Sequence, residues 1–361
     1  MTTRRRLLFY THALAGGGAE RVLARLASGF AARGDEVMFV VDFEASENLA
    51  QLRDDVELCV LPRGHARAIA GLAGLLRRRR PDVSVSALAV SNFKHAAAAA
   101  LAGRLARAVI GYHGFSASEP GRLSRLGYQA TPLISRLCGA TVAVTNALRD
   151  DLVQRFHVPP GRIVTIYNPA APTPFPEETT AARIAARAPV VLALGRLVSD
   201  KDFETLIRAF AQLDAPDARL AILGEGPERA RLGALARDLG VATRLDMPGY
   251  VDDIAAQLSR ASCLVVSSRH ESFGLSCVEG LAHGLPVITT DCGGPAEVLG
   301  SAGFGPPVAV GDAPALAAQI ATALHDPGAP TPRQARARVF SLDAALDAHD
   351  RLFRTLPRRS S

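Results

Sequence analysis

Short apolar or β-branched runs alternate with amphipathic stretches along this chain, and the alternation occurs as two separate series. The first places strands at residues 7–10, 37–41, 56–61, 83–86, 108–112, 141–144 and 163–166, with helices over 19–33, 66–80, 93–105, 123–137 and 146–156 among them. The second places strands at 190–194, 220–223, 245–247, 264–266 and 287–290, with helices over 203–213, 228–239 and 275–283. Strand followed by helix, repeated, dictates a parallel sheet wound on both faces. Between the series, Asn168-Pro-Ala-Ala-Pro-Thr-Pro-Phe-Pro-Glu-Glu carries four prolines in eight residues and can be neither helix nor central strand. The expectation is therefore a first domain over 1–170, a linker over 171–187 and a second domain over 188–335. A terminal segment over 336–361 follows, and its amphipathic stretch 342–356 is expected to form a helix returning to the first domain. A length of 361 residues suits two such domains. With 5% aromatics and no tryptophan, Ala- and Leu-rich helix packing has to carry the burial.

Charge divides unevenly. Residues 1–170 hold 22 Lys/Arg against 13 Asp/Glu, a net +9, and the remainder holds 19 against 22, a net −3. The excess sits at residues 4–6 and 77–80 and at Arg104, Arg107, Arg122 and Arg125. These arginines form either solvated helix faces or a surface for an anionic membrane or acceptor. No aromatics interleave with them for base stacking, so nucleic acid is not expected as a partner. The five cysteines, at 59, 138, 263, 277 and 292, form no C-x-x-C pair and have no histidine cluster at zinc spacing, so they read as reduced thiols and no metal is expected. The apolar run after the opening arginines is too short for a signal peptide and reads as a first strand. No later run reaches the roughly 18 apolar residues of a membrane span. A cytoplasmic protein is the expectation.

In open parallel sheets, ligands sit beyond the carboxyl ends of strands, and three loops there carry suitable residues. The loop from His12 to Arg21 contains Gly16, Gly17 and Gly18, which either make a tight turn or admit a ligand close to the backbone at a helix start. It is not the dinucleotide fingerprint, since a third glycine would have to stand at Arg21. After the first strand of the second domain come Gly195, Arg196 and, five positions on, Lys201. Two cations so placed can converge on a diphosphate, although the loop lacks the second glycine of a P-loop. The third loop reads Arg269-His-Glu271-Ser-Phe-Gly274-Leu-Ser-Cys-Val-Glu279-Gly. Its two carboxylates suit the vicinal hydroxyls of sugars, and the helix start at Gly274 suits a phosphate.

The Glu271 and Glu279 pair, together with Gly284-Leu-Pro-Val-Ile-Thr-Thr-Asp291-Cys-Gly-Gly-Pro295-Ala-Glu297, resembles the E-x7-E region of glycosyltransferase family four. The likeness extends to Gly195-Arg196 with Lys201, Leu223-Gly224-Glu225-Gly226-Pro227, Gly249-Tyr250-Val251-Asp252-Asp253 and Asn168-Pro169. It implies an α/β GT-B fold, two doubly wound Rossmann-like domains facing a central cleft, and a retaining transferase that uses a nucleotide-diphosphate sugar as donor substrate without a cofactor. Arg196 and Lys201 would hold the diphosphate with the helix start at Gly274 and Leu275, and Glu279 would take the ribose. Glu271 and the Phe273-Gly274 backbone would meet the sugar. Tyr250 and Val251 would bracket the base, with Gly224 also at the donor. Gly16, Gly17, Gly18 and His113, in Ile110-Gly-Tyr-His-Gly, would serve from the first domain. Catalytic roles would fall to His113, Glu271, Arg196 and Lys201. The resemblance implies UDP as the commonest nucleotide, a hexose or N-acetylhexosamine as the sugar, and a saccharide or lipid-linked acceptor in cell-surface glycan synthesis; the basic first domain would suit a lipid-linked acceptor at the inner membrane face. An epimerase of the same fold and a non-catalytic nucleotide-sugar-binding protein are the alternatives.

Overall fold

The structure, a computed structural model, describes residues 4–15, 17–45, 47–119 and 121–357. It divides into two compact units, one of residues 1–169 with 342–361 and one of residues 170–341.

The first unit is built on a seven-stranded parallel sheet. In chain order it contains β1 (Arg6–Thr11), α1 (Gly18–Ala32), β2 (Glu36–Val41), β3 (Glu57–Val60), α2 (His65–Arg79), β4 (Val83–Ala87) and α3 (Ala89–Ala102). It continues with β5 (Ala108–Tyr112), α4 (Arg122–Leu137), β6 (Ala140–Ala143), α5 (Asn146–Phe156) and β7 (Ile163–Thr165). Spatial order is β3-β2-β1-β4-β5-β6-β7. The central strands β4 and β5 are buried at every residue, as strands covered on both faces must be, whereas the edge strand β3 is mostly exposed. α1 presents Val22, Leu23, Leu26 and Phe30 at helical spacing to the sheet, where Phe30 stacks on Phe9 at 6.2 Å between ring centroids. Thr145 starts α5 by accepting a 3.2 Å hydrogen bond from the Leu148 N–H.

The second unit repeats the plan with five parallel strands. It contains α6 (Ala181–Ala185), β8 (Val190–Leu194), α7 (Phe203–Ala211), β9 (Arg219–Leu223), α8 (Arg229–Asp238), β10 (Leu245–Gly249), α9 (Ile254–Arg260) and β11 (Cys263–Val266). After these come α10 (Leu275–Ala282), β12 (Val287–Thr289), α11 (Gly294–Leu299), α12 (Ala313–His325) and α13 (Thr331–Arg338). Spatial order is β10-β9-β8-β11-β12. Phe203, Leu206, Ile207 and Phe210 of α7 enter one core with Val191, Ile222, Val265 and Ile288 of the strands.

The division differs in detail from a linker at 171–187 and a terminal segment from 336. The proline-rich stretch belongs to the second unit and contains α6, which Thr180 caps by accepting from the Arg183 N–H. Residues 336–341 stay with that unit too, because α13 packs on α10. The chain then returns to the first unit as α14 (Leu342–Thr355), whose Phe353 meets Phe30 at 5.5 Å. Arg33 reaches Asp343 and Asp347 at 2.9 and 2.6 Å, and Arg5 bridges Asp35 and Asp350. The Arg33 pairs are exposed and contribute little, so the aromatic contact and the partly buried Arg5 pairs are the stronger ties.

Two histidines of the first unit are buried as neutral rings. His95 lies between the Ser84 and Ser86 hydroxyls at 2.8 and 2.9 Å, and His349 of α14 donates from Nδ1 to the Ala345 carbonyl at 2.8 Å. Burial lowers both to about 4. An unfolded histidine titrates near 6.5, so as pH falls from about 6.5 towards 4 the unfolded chain takes up protons that the folded chain refuses. Stability from these groups is complete above that window and is lost within it, at roughly 1 kcal/mol per ring by pH 5.5. Urea unfolding followed from pH 7.5 to pH 5 should show this decline; a flat profile over that range would refute buried neutral rings.

Candidate active site

In the second unit the strand order reverses between β8 and β11, so a ligand belongs at the loops that follow these strands. After β8, buried Leu197 anchors the chain and leaves Arg196 exposed, with no hydrogen-bond or ion-pair partner for its guanidinium among the described residues. Lys201 folds back over Gly195 and places its ammonium 2.5 Å from Glu271 Oε2 in the loop after β11. Burial opposes the charge on Lys201, but the Glu271 carboxylate outweighs it by attraction and a hydrogen bond, holding the amine above its ordinary value.

These two loops are joined at several further points. The Arg269 N–H donates to the Asp200 carbonyl at 2.8 Å, and Ser267 Oγ donates to the Lys201 carbonyl at 2.9 Å. The Arg269 guanidinium meets Asp202 at 3.1 Å, while Thr205 donates to the other oxygen of the same carboxylate at 2.9 Å. His270 Nδ1 lies 3.0 Å from Asp200. Sequence reasoning missed Asp200, Asp202, Arg269 and His270 in this role. Acids and bases in loops carry no periodicity, and their pairing spans about seventy residues.

The loop after β12 closes on the same place. The Glu271 N–H donates to the Cys292 carbonyl at 2.8 Å, and the Gly294 N–H donates to the Glu271 carbonyl at 2.7 Å. Gly294 packs so tightly there that a Cβ would stand 2.1 Å from the Ser272 carbonyl oxygen. Gly274 precedes α10 without a side-chain cap, so the N–H groups of the first turn at Leu275 point beyond the helix start. Glu279 is half-buried one turn further in. The Phe273 ring turns into the core against Phe340, leaving its backbone at the loop. On the other side, Gly224 at φ 141° brings its backbone so close to Gly195 that a Cβ would lie 2.0 Å from the Gly195 oxygen. Beyond the edge strand β10 stand Tyr250, which is 78% exposed, and half-buried Val251. The site residues expected in this half of the chain therefore all lie at one end of one sheet, and Lys201 and Glu271 touch directly. Cys277 and Cys292 line the same region as neutral thiols, since burial pushes Cys292 up to about 11 and Cys277 well above the ordinary value.

In the first unit, His113 follows β5 and lies over Gly111, with Nε2 3.4 Å from where a Cβ there would stand. It lines a cavity of about 10 Å³ with Ser86, Gly111, Asn168 and His349. Burial, then the neighbouring His349, lowers it to about 4 against an opposing hydrogen bond with Asn168, so it is neutral at pH 7. Gly17 caps α1 and Gly18 is its first residue, while Gly16 lies outside the described residues. A cluster that sequence reasoning did not find surrounds Asp42, at the end of β2. Its carboxylate receives Lys94 at 2.5 Å, His12 at 2.6 Å and Tyr10 at 2.9 Å. Burial alone would raise the Asp42 carboxyl, and these hydrogen bonds reverse that and hold it below its usual range. Among the described residues, no group of three or more His, Cys, Asp or Glu is placed to hold a metal ion, and no helix is long and apolar enough to cross a membrane.

The close approach at Gly294 makes a direct test of this geometry. Gly294→Ala should cost about 2 kcal/mol or more through overpacking, lowering the melting temperature by about 4–8 °C for a unit of this size. Melting like that of the unchanged protein would mean that the Ser272 loop is not clamped.

Two family descriptions match the chain in tandem: Glycosyltransferase Family 4 over residues 16–173, and Glycosyl transferases group 1 over residues 175–339. Among individual proteins, a lipopolysaccharide core biosynthesis glycosyltransferase, LpsE of Rhizobium meliloti, is 35% identical over 202 residues, covering 55% of this chain and 56% of that one. The chain thus spans about half the length of the lipopolysaccharide core relatives it matches, 56% of LpsE and 57% of LpsD. Glycogen synthase of Mycobacterium tuberculosis is 29% identical over 313 residues, covering 81% of this chain and 73% of the synthase. The crystal structure of Anabaena Alr3699/HepE in complex with UDP and glucose superposes with a TM-score of 0.85 at 20% identity, covering 98% of this chain and 100% of that one. One family description ends and the other begins within a few residues of the boundary dividing the units, and the chain belongs to glycosyltransferase family four, with the GT-B fold.

Proposed function

We propose that this chain is a retaining glycosyltransferase that moves a hexose or N-acetylhexosamine from a nucleotide-diphosphate sugar, with UDP as the preferred nucleotide, to a saccharide or lipid-linked acceptor in cell-surface glycan synthesis. The observation that carries this reading is the pair of cations at the strand-order reversal of the second sheet. Arg196 is unpartnered there, and Lys201 is held charged by Glu271.

As the bond from the anomeric carbon to the diphosphate breaks, negative charge gathers on the leaving diphosphate. Groups fixed in advance around that charge stabilise the transition state more than the ground state. Lys201, fixed by Glu271, supplies a point charge and the start of α10 at Gly274 and Leu275 supplies N–H groups, while the unrestrained Arg196 adds a forked donor as the diphosphate arrives. The acceptor hydroxyl attacks the face that the diphosphate leaves, and its proton passes to a diphosphate oxygen, so no carboxylate need serve as base. Glu279 takes the ribose hydroxyls. Glu271, with the Phe273-Gly274 backbone, holds the sugar while keeping Lys201 in place. Gly224, Tyr250 and Val251 border the nucleoside. In the first unit, His113, a neutral ring, is assigned on this reading to the sugar, and the glycines at 16, 17 and 18 to the ligand.

The UDP and glucose named in the HepE complex support the donor, and the lipopolysaccharide core relatives support the cell-surface pathway. The net +9 of residues 1–170 supports peripheral attachment at the inner membrane face, where a lipid-linked acceptor is presented.

A thermal-shift screen against UDP, GDP, ADP and their sugar conjugates tests the donor, because a ligand bound only by the folded state raises its stability by mass action. UDP should stabilise the protein, and Glu279→Ala and Lys201→Ala should abolish the shift; no shift with any nucleotide would defeat the reading. In turnover assays, Arg196→Ala or Lys201→Ala should each lose at least about a hundredfold, the scale of one transition-state donor. Epimerised donor recovered in the absence of acceptor would point to an epimerase instead.

A further inference from the structure

Several arginines that make the first unit basic are engaged by the protein itself. Arg79 pairs with Glu57 at 2.5 Å, Arg5 with Asp35 and Asp350, and Arg107 donates to the Asp82 carbonyl at 3.0 Å. Arg77 and Arg104 likewise reach the carbonyls of Leu101 and Pro81. Helix α4 differs. Arg122 and Arg125 have no side-chain partner among the described residues, and Arg136 donates only to the Pro132 carbonyl of its own helix.

The same helix carries an apolar stripe that the core does not use. Its inner face packs through Gly127, Tyr128, Thr131 and Ile134, with Gly127 so near the Ala89 carbonyl that a Cβ would stand 2.8 Å away. Leu123, Leu126, Leu133 and Leu137 lie outside that face, exposed by 49, 57, 60 and 49%. With half-buried Ala130 they recur at alternating steps of three and four, which on a helix of about 3.6 residues per turn is one straight line. At about 100° per residue, Arg122, Arg125, Gln129 and Arg136 fall on the neighbouring strip of the outward half. No acidic residue occurs in α4.

We propose that α4 is the surface by which this protein docks on an anionic lipid bilayer, lying in the plane of the interface. This rests on the peripheral-membrane reading above and names the element that performs it. The leucine stripe enters the boundary between headgroups and acyl chains while the arginines remain among anionic headgroups. A strip of three arginines and Gln129, free of acidic residues, beside an apolar one complements a surface that is anionic above and apolar below.

The test uses the full chain and sedimentation with vesicles, one set of pure phosphatidylcholine and one containing a third phosphatidylglycerol. The unchanged protein should sediment with the anionic vesicles and far less with the neutral ones. Leu126→Ser with Leu133→Ser should weaken that partition at least about tenfold, and Arg122→Gln with Arg125→Gln should remove most of its salt dependence. Both double variants should keep the melting temperature and the UDP-induced shift of the unchanged protein. If the leucine variant sediments unchanged, the α4 assignment is overturned while peripheral attachment survives; if the unchanged protein ignores both vesicle types, both fall. Light scattering that shows a dimer dispersed by Leu126→Asp, without vesicle binding, would assign the stripe to self-association and overturn the proposal. Loss of the UDP shift in the unchanged protein bears on the donor reading alone.

Discussion

The ion pair of Lys201 with Glu271 ties together the two loops at the strand-order reversal of the second unit. Neither partner can be treated as surface charge: the lysine stem lies over Gly195 and the carboxylate sits on a loop hydrogen-bonded to the one after β12. Removing Glu271 would leave a partly buried ammonium without compensation, and such a group tends to shed its proton. The carboxylate therefore keeps a cation available at the strand-order reversal before any ligand arrives. Arg196 beside it has no such restraint, so the two cations differ in kind, one fixed and one free to fork onto an arriving anion.

The two sheets and most of their strands are legible in the order of residues, because β-branched and apolar runs report burial on both faces directly. The loop glycines and the pair Glu271 and Glu279 are legible for a related reason: the whole device lies within a few consecutive residues. The helices missed are those whose sequence hides its period. α12, Ala-Pro-Ala-Leu-Ala-Ala-Gln-Ile-Ala-Thr-Ala-Leu-His, has no charged face to set off its apolar one. α6, α9 and α11 are too short for periodicity to declare, and α13, Thr-Pro-Arg-Gln-Ala-Arg-Ala-Arg, buries Arg333 and Gln334 and so shows no apolar face. α3 begins at Ala89, before its expected start, because Leu88 turns through φ 76° and redirects the chain immediately after β4.

Charge is the least legible property. A count over the first 170 residues already subtracts Asp35 and Glu57, but it cannot see which arginines they engage, nor that Asp350 reaches Arg5 from the far end of the chain. Nor can it see that Lys94 is spent on Asp42 across fifty-two residues. Which cations are left to form a surface depends on which ones pair, and that pairing follows long-range geometry that no local pattern encodes.

The two sheets share the same reversal of strand order, yet their electrostatics at that point diverge. At the first reversal, the Asp42 carboxylate near the end of β2 is saturated by three donors, so a polar cluster closes on itself with its charges compensated. At the second, one carboxylate serves one lysine, and an arginine is left over. An arriving anion is drawn to where positive charge remains unspent, because an uncompensated cation is worth more to it than one already neutralised. One topology used twice thus yields two different sites, and the residue after β8 that lacks a partner is what separates them.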